Sequence, residues 1–362
     1  MIFLREYFKL TMCGREIKVA AAIITLTYFA ILINGLHYIG GGQRNASALT
    51  DKESVNCMKG VAALLIVFSH AHYYNENLGL LKIFKPFGYI GVSLFFFCSG
   101  YGVMKNYIGK EHYLDGFLVK KLKGVYIPYI VATVLWFITS TILIGEKFDG
   151  FAIAISLTKS ILLIKAALPF AWYVLAVLVW YFIFFLMAKI IKTPPKMLRY
   201  LVVLNIMWYF IGILTDIPSF YYNGTCCLMI GCVVATKEKM IKEPGRLALL
   251  SNAVGLCGSI LALHLLGEKS SLLYTVVVAG SSAMFVLFIY IVGYKFNFFS
   301  NITKYIGKYS YEIYLTQGIA YFISKELNAR LNWGFWITFW LMMGILICIE
   351  RKIIKILNSL IG

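Results

Sequence analysis

The feature that most restricts this chain is a succession of long apolar runs, near residues 17–39, 58–74, 87–107, 125–145, 171–191, 199–215, 220–236, 247–266, 271–293, 309–324 and 332–349. A bilayer core of about 30 Å takes about 20 apolar residues per helix, and only helices or closed barrels satisfy their backbone there. The runs are continuous instead of alternating, which selects helices. With 60% hydrophobic and 14% charged residues and a mean hydropathy of +0.80, the chain reads as an all-α polytopic membrane protein of eleven segments. The block 151–165, which contains Lys159, is too short to span and reads as an interfacial or re-entrant helix.

A formal charge of +18 raises the question of nucleic acid, but the basic residues are scattered between apolar segments and form no continuous face. Topology explains them better. Alternate loops carry Lys105, Lys110, Lys120, Lys121 and Lys123, then Lys189, Lys192, Lys196 and Arg199, then Lys237, Lys239, Lys242 and Arg246. Lys295, Lys304 and Lys308, followed by Arg351, Lys352 and Lys355, continue the series. The intervening loops hold fewer: Lys82, Lys85, Lys147, Lys159, Lys165, Lys269, Lys325 and Arg330. The positive-inside bias therefore places the first set and the C-terminus in the cytoplasm. This frame puts residues 1–16 outside, although Arg5, Lys9 and Arg15 prefer the cytoplasm and Lys18 leans the same way. Two readings fit: the first segment is overruled by stronger downstream signals, or it does not fully cross. The run from Ile17 to Ile39 exceeds the apolar core of a signal peptide and no clean small-residue cleavage site follows, so a retained helix is expected.

The eight cysteines fall mostly inside apolar segments without paired CxxC motifs and read as small buried hydrophobes, with no metal site. The sequon at Asn45 lies on the expected inner side and carries little weight. No linker divides the chain and no inverted repeat is visible. Residues 1–57 read as an accessory helix with a cytoplasmic linker, and 58–362 as one membrane domain.

Chemistry must then come from helix ends and intramembrane polar groups. Lys59 opens the second segment and His70 closes it; eleven residues apart, they stand roughly 16 Å from each other on a helix and cannot touch. Histidine is the usual general base near neutral pH, and an ionisable group in the membrane is a functional candidate, though an interfacial histidine near a helix end would look the same. His72 is weaker, standing in a belt with Tyr73 and Tyr74. Gly91, Ser93, Ser99 and Gly100 are small residues that favour close helix packing. Lys120, Lys121 and Lys123 precede a helix whose first turn holds Pro128; they suit a phosphate-rich ligand, or equally an anchor to anionic lipid. Trp172 and Tyr173 open the fifth segment, and Ser310, Tyr311, Glu312 and Gln317 stand in the tenth, where Glu312 is expected to pair with Lys308 four residues earlier.

In this order the blocks resemble the membrane acyltransferase-3 family, bacterial integral membrane proteins that O-acylate surface glycans. The basic residue, ten apolar residues and histidine of that family match Lys59 to His70; its Gly-Val-Asp-Leu-Phe-Phe-Val-x-Ser-Gly-Phe block is similar to Gly91 to Tyr101. Its basic run before Ile-x-Pro matches Lys120 to Pro128, its Trp-Tyr-Leu matches Trp172 to Leu175, and its Ser-Tyr-x-x-Tyr-Leu-x-His is similar to Ser310 to Gln317. The resemblance implies ten core transmembrane helices, with the first segment an accessory. It implies a cytoplasmic acyl-CoA donor, with acetyl the expected cargo, docked near Lys120, Lys121 and Lys123. It further implies a polysaccharide or lipid-linked glycan acceptor, His70 as general base, and Lys59 near the donor end. His72, Ser93, Ser99, Trp172, Tyr173, Ser310, Tyr311, Glu312 and Gln317 would line the substrate channel, and the location would be a bacterial cytoplasmic membrane. Three positions depart from the family: lysine at 59 for arginine, serine at 93 for aspartate, and glutamine at 317 for histidine. The serine removes a carboxylate that could orient His70 and leaves its partner unassigned. A polysaccharide exporter or flippase of the same architecture, without covalent chemistry, is the alternative.

Overall fold

A computed structural model describes residues 2–39, 47–74, 78–144, 149–215, 217–238, 240–241, 245–266, 272–328 and 332–360. The sequon asparagine Asn45 and the loop cations Lys147, Lys239, Lys242, Lys269 and Arg330 lie outside the described residues. In chain order the helices are α1 (Ile2–Asn34), α2 (Lys52–His70), α3 (Gly88–Gly109), α4 (Phe117–Lys121), α5 (Ile127–Ile144), α6 (Gly150–Ile161) and α7 (Trp172–Ile191). They continue as α8 (Pro194–Leu214), α9 (Thr225–Lys237), α10 (Arg246–Leu266), α11 (Leu272–Val292), α12 (Asn301–Lys308), α13 (Ser310–Leu327) and α14 (Trp333–Leu360). The structure is an all-α polytopic bundle: among the described residues, ten helical stretches are long and apolar enough to cross a membrane. Apolar side chains also face outward around it, as at Leu214, 81% exposed, and Leu247, 79% exposed, the surface expected of a protein solvated by lipid.

The expected segment 309–324 is not among those ten, yet α13 is well enclosed in the bundle, with Ile313 through Tyr321 all buried. Its serine, threonine, glutamine and glutamate lower its hydropathy; Thr316 and Ser324 bond back to their own helix, while Gln317 and Glu312 meet partners on α2 and α14. Helix α2 begins before the expected 58, because Asp51 caps it by accepting the Ser54 N–H at 2.9 Å. Lys59 is consequently two turns inside the helix and not at its mouth. The expected span 125–145 likewise starts early, at Phe117: α4 runs into α5 through a wide π turn over Leu122–Tyr126. Pro128, which brings no N–H to the ladder, follows directly. The block at 151–165 forms only α6, twelve residues behind the Asp149 cap, and ends at Ile161.

The first helix is tied in at both levels. Tyr28 packs edge-on against Phe68 and Phe84, and beyond Asn34 the chain forms β1 (Leu36–Tyr38), antiparallel to β2 (Phe296–Phe298). His37 contacts the Phe299 carbonyl at 3.0 Å, and Ser47 donates to the Tyr290 carbonyl at 2.6 Å. This ribbon puts the end of α1 on the face that also carries Lys295, Lys304 and Lys308, called here the basic face. The start of α1's apolar stretch lies near Gly79, beyond the opposite end of α2, so α1 runs antiparallel to α2 along its apolar length. Within α1, Glu16–Asn34 is among the ten stretches long and apolar enough to cross.

Close backbone contact holds the centre. A Cβ on Gly100 would stand 2.0 Å from the Leu228 carbonyl oxygen, and one on Gly231 would stand 2.3 Å from that of Phe97. On the other side of α3, a Cβ on Gly91 would meet the Ala62 carbonyl oxygen at 2.9 Å. The expected packing role of this small-residue block is realised at Gly91 and Gly100.

The expected Lys308–Glu312 pair does not form. The helix breaks at Tyr309 between α12 and α13, so the four-residue rule fails, and Glu312 pairs with Arg351 of α14 at 3.6 Å while Lys308 lies over the Tyr309 ring. Beside this pair, Glu350 is wholly buried and neither of its carboxylate oxygens has a hydrogen-bond partner among the described residues. The cysteines whose side chains are described are free.

Gly231→Val should therefore destabilise the bundle by about 3 kcal/mol or more, since backbone on the facing helix cannot yield as a side chain would. Thermal unfolding in detergent reads this as a large fall in midpoint. Glu350→Leu should do the reverse: removing an unsatisfied buried polar group returns about 1 kcal/mol, and the midpoint holds or rises.

Candidate functional site

His70 occupies the last turn of α2, and the turn that follows, Ala71–Tyr73, carries His72 and Tyr73. Its Nδ1 lies 3.1 Å from Oε1 of Gln317, a residue 247 positions away that α13 buries completely. The Gln317 amide nitrogen donates to the Tyr314 carbonyl at 3.0 Å, which turns the amide oxygen toward the imidazole. An amide oxygen only accepts, so in the neutral ring Nδ1 carries the hydrogen and Nε2 keeps its lone pair. Nε2 makes no hydrogen bond among the described residues. The partner of His70 left unassigned by the serine at 93 is thus Gln317, and it orients the ring without exchanging a proton.

The imidazole also has a face partner that the sequence reading did not include. Phe170 stacks on it with ring centroids 3.8 Å apart and planes 10° from parallel. The backbone there is left-handed, with φ +65°, a conformation that costs a residue with a Cβ about 1–2 kcal/mol. The surroundings hold it: the Tyr314 hydroxyl donates to the Phe170 carbonyl, and Gly318 lets α13 approach Pro169 so closely that a Cβ would stand 2.8 Å from the proline ring. Tyr73 closes a third side, 6.1 Å from the His70 ring and 5.3 Å from that of Phe170. The end of α2 is fixed to α13 twice more, by Tyr321 donating to the Val67 carbonyl at 2.8 Å and by Tyr74 stacked on Tyr321.

The remaining expected residues do not gather at His70. His72 lies beside it but is occupied, its Nδ1 2.6 Å from the Ser69 carbonyl and its ring against Tyr73. Ser93 is buried and donates to its own helix, at the Tyr89 carbonyl. Ser99 and Tyr173 pair at 3.0 Å, and Tyr173 makes an edge contact with Tyr314. Trp172 packs against Phe96 and Phe220. Ser310, Tyr311 and Glu312 stand nearer the basic face, at least five residues or roughly 7 Å along α13 from Gln317; Tyr311 donates to the Val125 carbonyl.

Lys59 is half-buried, and its charge acts on the Cys98 thiol of α3; no carboxylate pairs with it among the described residues. Of the lysine cluster, Lys120 is exposed, whereas Lys121 rests its ammonium 3.7 Å from the Tyr181 ring centroid, so the three do not present one uniform claw. Lys123 is half-buried in the π turn.

What this arrangement can do is take a proton at one defined atom. Gln317 was visible in the sequence as a polar residue in an apolar run, but nothing in the spacing pairs it with His70. Phe170 carried no sequence signal beyond its place between Pro169 and Trp172. No curated protein and no solved structure matches the chain significantly. The acyltransferase domain of the membrane acyltransferase-3 type matches residues 52–350, which includes α2 through α13 and most of α14, and the chain belongs to that family.

Proposed function

We propose that this protein is an O-acyltransferase that moves an acyl group, acetyl in the simplest case, from acyl-CoA at the basic, cytoplasmic face to a hydroxyl of a cell-surface or capsular polysaccharide. The observation that carries this reading is the His70–Gln317 pair, which leaves Nε2 of a fixed tautomer as a base. The acceptor hydroxyl gives its proton to Nε2 as its oxygen attacks the thioester carbonyl. The C–S bond then breaks, and the departing thiolate of CoA takes the proton from His70. Atoms and charge balance without a metal or an oxidant.

The rest of the chain suits the two substrates unequally. Lys59, a half-buried cation without a carboxylate partner among the described residues, favours an anionic or carbonyl-bearing donor reaching inward from the basic face. Lys120 and Lys123 supply positive charge at the entrance for the donor phosphates, with Lys121 contributing through its field while it sits on Tyr181. Around His70, Phe170, Tyr73 and His72 offer flat ring faces of the kind that cover the apolar face of a sugar. The site lies in a bacterial cytoplasmic membrane on this reading, with the acceptor arriving from outside.

Purified protein in nanodiscs, given radiolabelled acetyl-CoA and glycan, should release CoA and label the glycan. His70→Ala should lower transfer by roughly 10²- to 10⁴-fold, and transfer that survives that change would sink the mechanism. Gln317→Leu should cost about 10²-fold through loss of ring orientation, with acetyl-CoA affinity unchanged. Absence of both saturable acetyl-CoA binding and turnover in the folded wild type would favour the exporter reading.

A further inference from the structure

A base that becomes a cation in the transition state normally has an anion behind it. Here the group on Nδ1 is a neutral amide, and Ser93, at the place of the family's aspartate, turns to its own helix. The groups that face His70 are Gln317 from α13, Tyr73 and His72 from the turn after α2, and Phe170 from the segment before α7. None of them is a carboxylate, and His72 can bring only positive charge, which has the wrong sign to assist. The closest and most parallel contact is the Phe170 ring, whose π face is electron-rich and lies 3.8 Å from the imidazole centroid, well within the range over which an aromatic face attracts a cation.

The backbone supports a purpose for that contact. A phenylalanine is rarely left-handed, yet this one is held so by the Tyr314 hydroxyl on its carbonyl, and Tyr314 is also the residue whose carbonyl anchors Gln317. One residue of α13 thus sets both the amide at the edge of His70 and the ring on its face. Such strain persists only where surrounding contacts over-determine it, and both contacts converge on the imidazole.

We propose that Phe170 is a positioning residue for His70, fixing the plane of the imidazole and supplying through its π face the stabilisation of the imidazolium that a carboxylate would otherwise give. This deepens the acyltransferase reading and rests on it for the catalytic consequence; the fixing of the ring stands independently of that reading.

The experiment uses the full chain in nanodiscs, labelled with ¹⁵N,¹³C-histidine. The chain has five histidines, so the His70 signals are assigned by difference from His70→Ala. In wild type, His70 should show one neutral tautomer, protonated at Nδ1, with its Cε1–H signal moved upfield by the Phe170 ring current. Phe170→Leu keeps an apolar side chain but removes the π face. It should abolish the upfield shift and loosen the plane of the imidazole, read as lower order of the His70 ring signals, and lower kcat roughly 10-fold with KM for acetyl-CoA and glycan unchanged. Phe170→Tyr should restore both spectrum and kcat, which separates loss of the ring face from misfolding. A Leu variant with the wild-type His70 spectrum, or with a changed spectrum and unchanged kcat, overturns the proposal. A wild type showing the fixed, shifted imidazole but no acyl transfer would refute the reaction while upholding Phe170 as the residue that fixes the ring.

Discussion

Inside a bilayer there is no water to complete an unfinished hydrogen bond, and the arrangement of this bundle follows from that requirement. It explains why α13, one of the least apolar of the long helices, has an unbroken buried stretch from Ile313 to Tyr321. Its Ser324 and Thr316 hydroxyls return to their own backbone, Tyr321 reaches the Val67 carbonyl, Tyr314 reaches that of Phe170, and Gln317 uses both ends of its amide. Three of these groups, Tyr314, Gln317 and Tyr321, are also tethers to neighbouring segments. The helix that lipid would reject becomes the one that holds the end of α2 and the segment before α7 in place.

Close packing on the other side of the bundle provides the rigid reference. Glycine at 100 and 231 lets α3 and α9 touch backbone to backbone, and Gly91 does the same between α3 and α2. Van der Waals contact at that range is what associates helices where the hydrophobic effect between them is absent. The His70 end of α2 is therefore bracketed, by α3 through small residues and by α13 through polar ones.

The departures from the family pattern take on a physical meaning in this setting. Glutamine at 317 meets the histidine edge with a group that does not exchange protons, so one tautomer is enforced. Serine at 93 is satisfied by its own helix and is not a substitute for the missing carboxylate. Lys59 keeps the family's positive charge without arginine's planar fork, two turns inside α2 and away from His70.

Composition and the run lengths alone determined a helical membrane protein and the order of its apolar segments, because transfer into lipid is a property of each segment separately. The ordered motifs likewise determined the family and singled out His70, Lys59 and Gln317. Tertiary structure decided the rest. That Gln317 meets His70, that Glu312 leaves Lys308 for Arg351, and that a left-handed Phe170 covers the imidazole are contacts between segments far apart in the chain. Sequence spacing governs neighbours within one helix; which helices touch, and where their polar groups must find partners, is settled only when the bundle closes and excludes every alternative donor and acceptor.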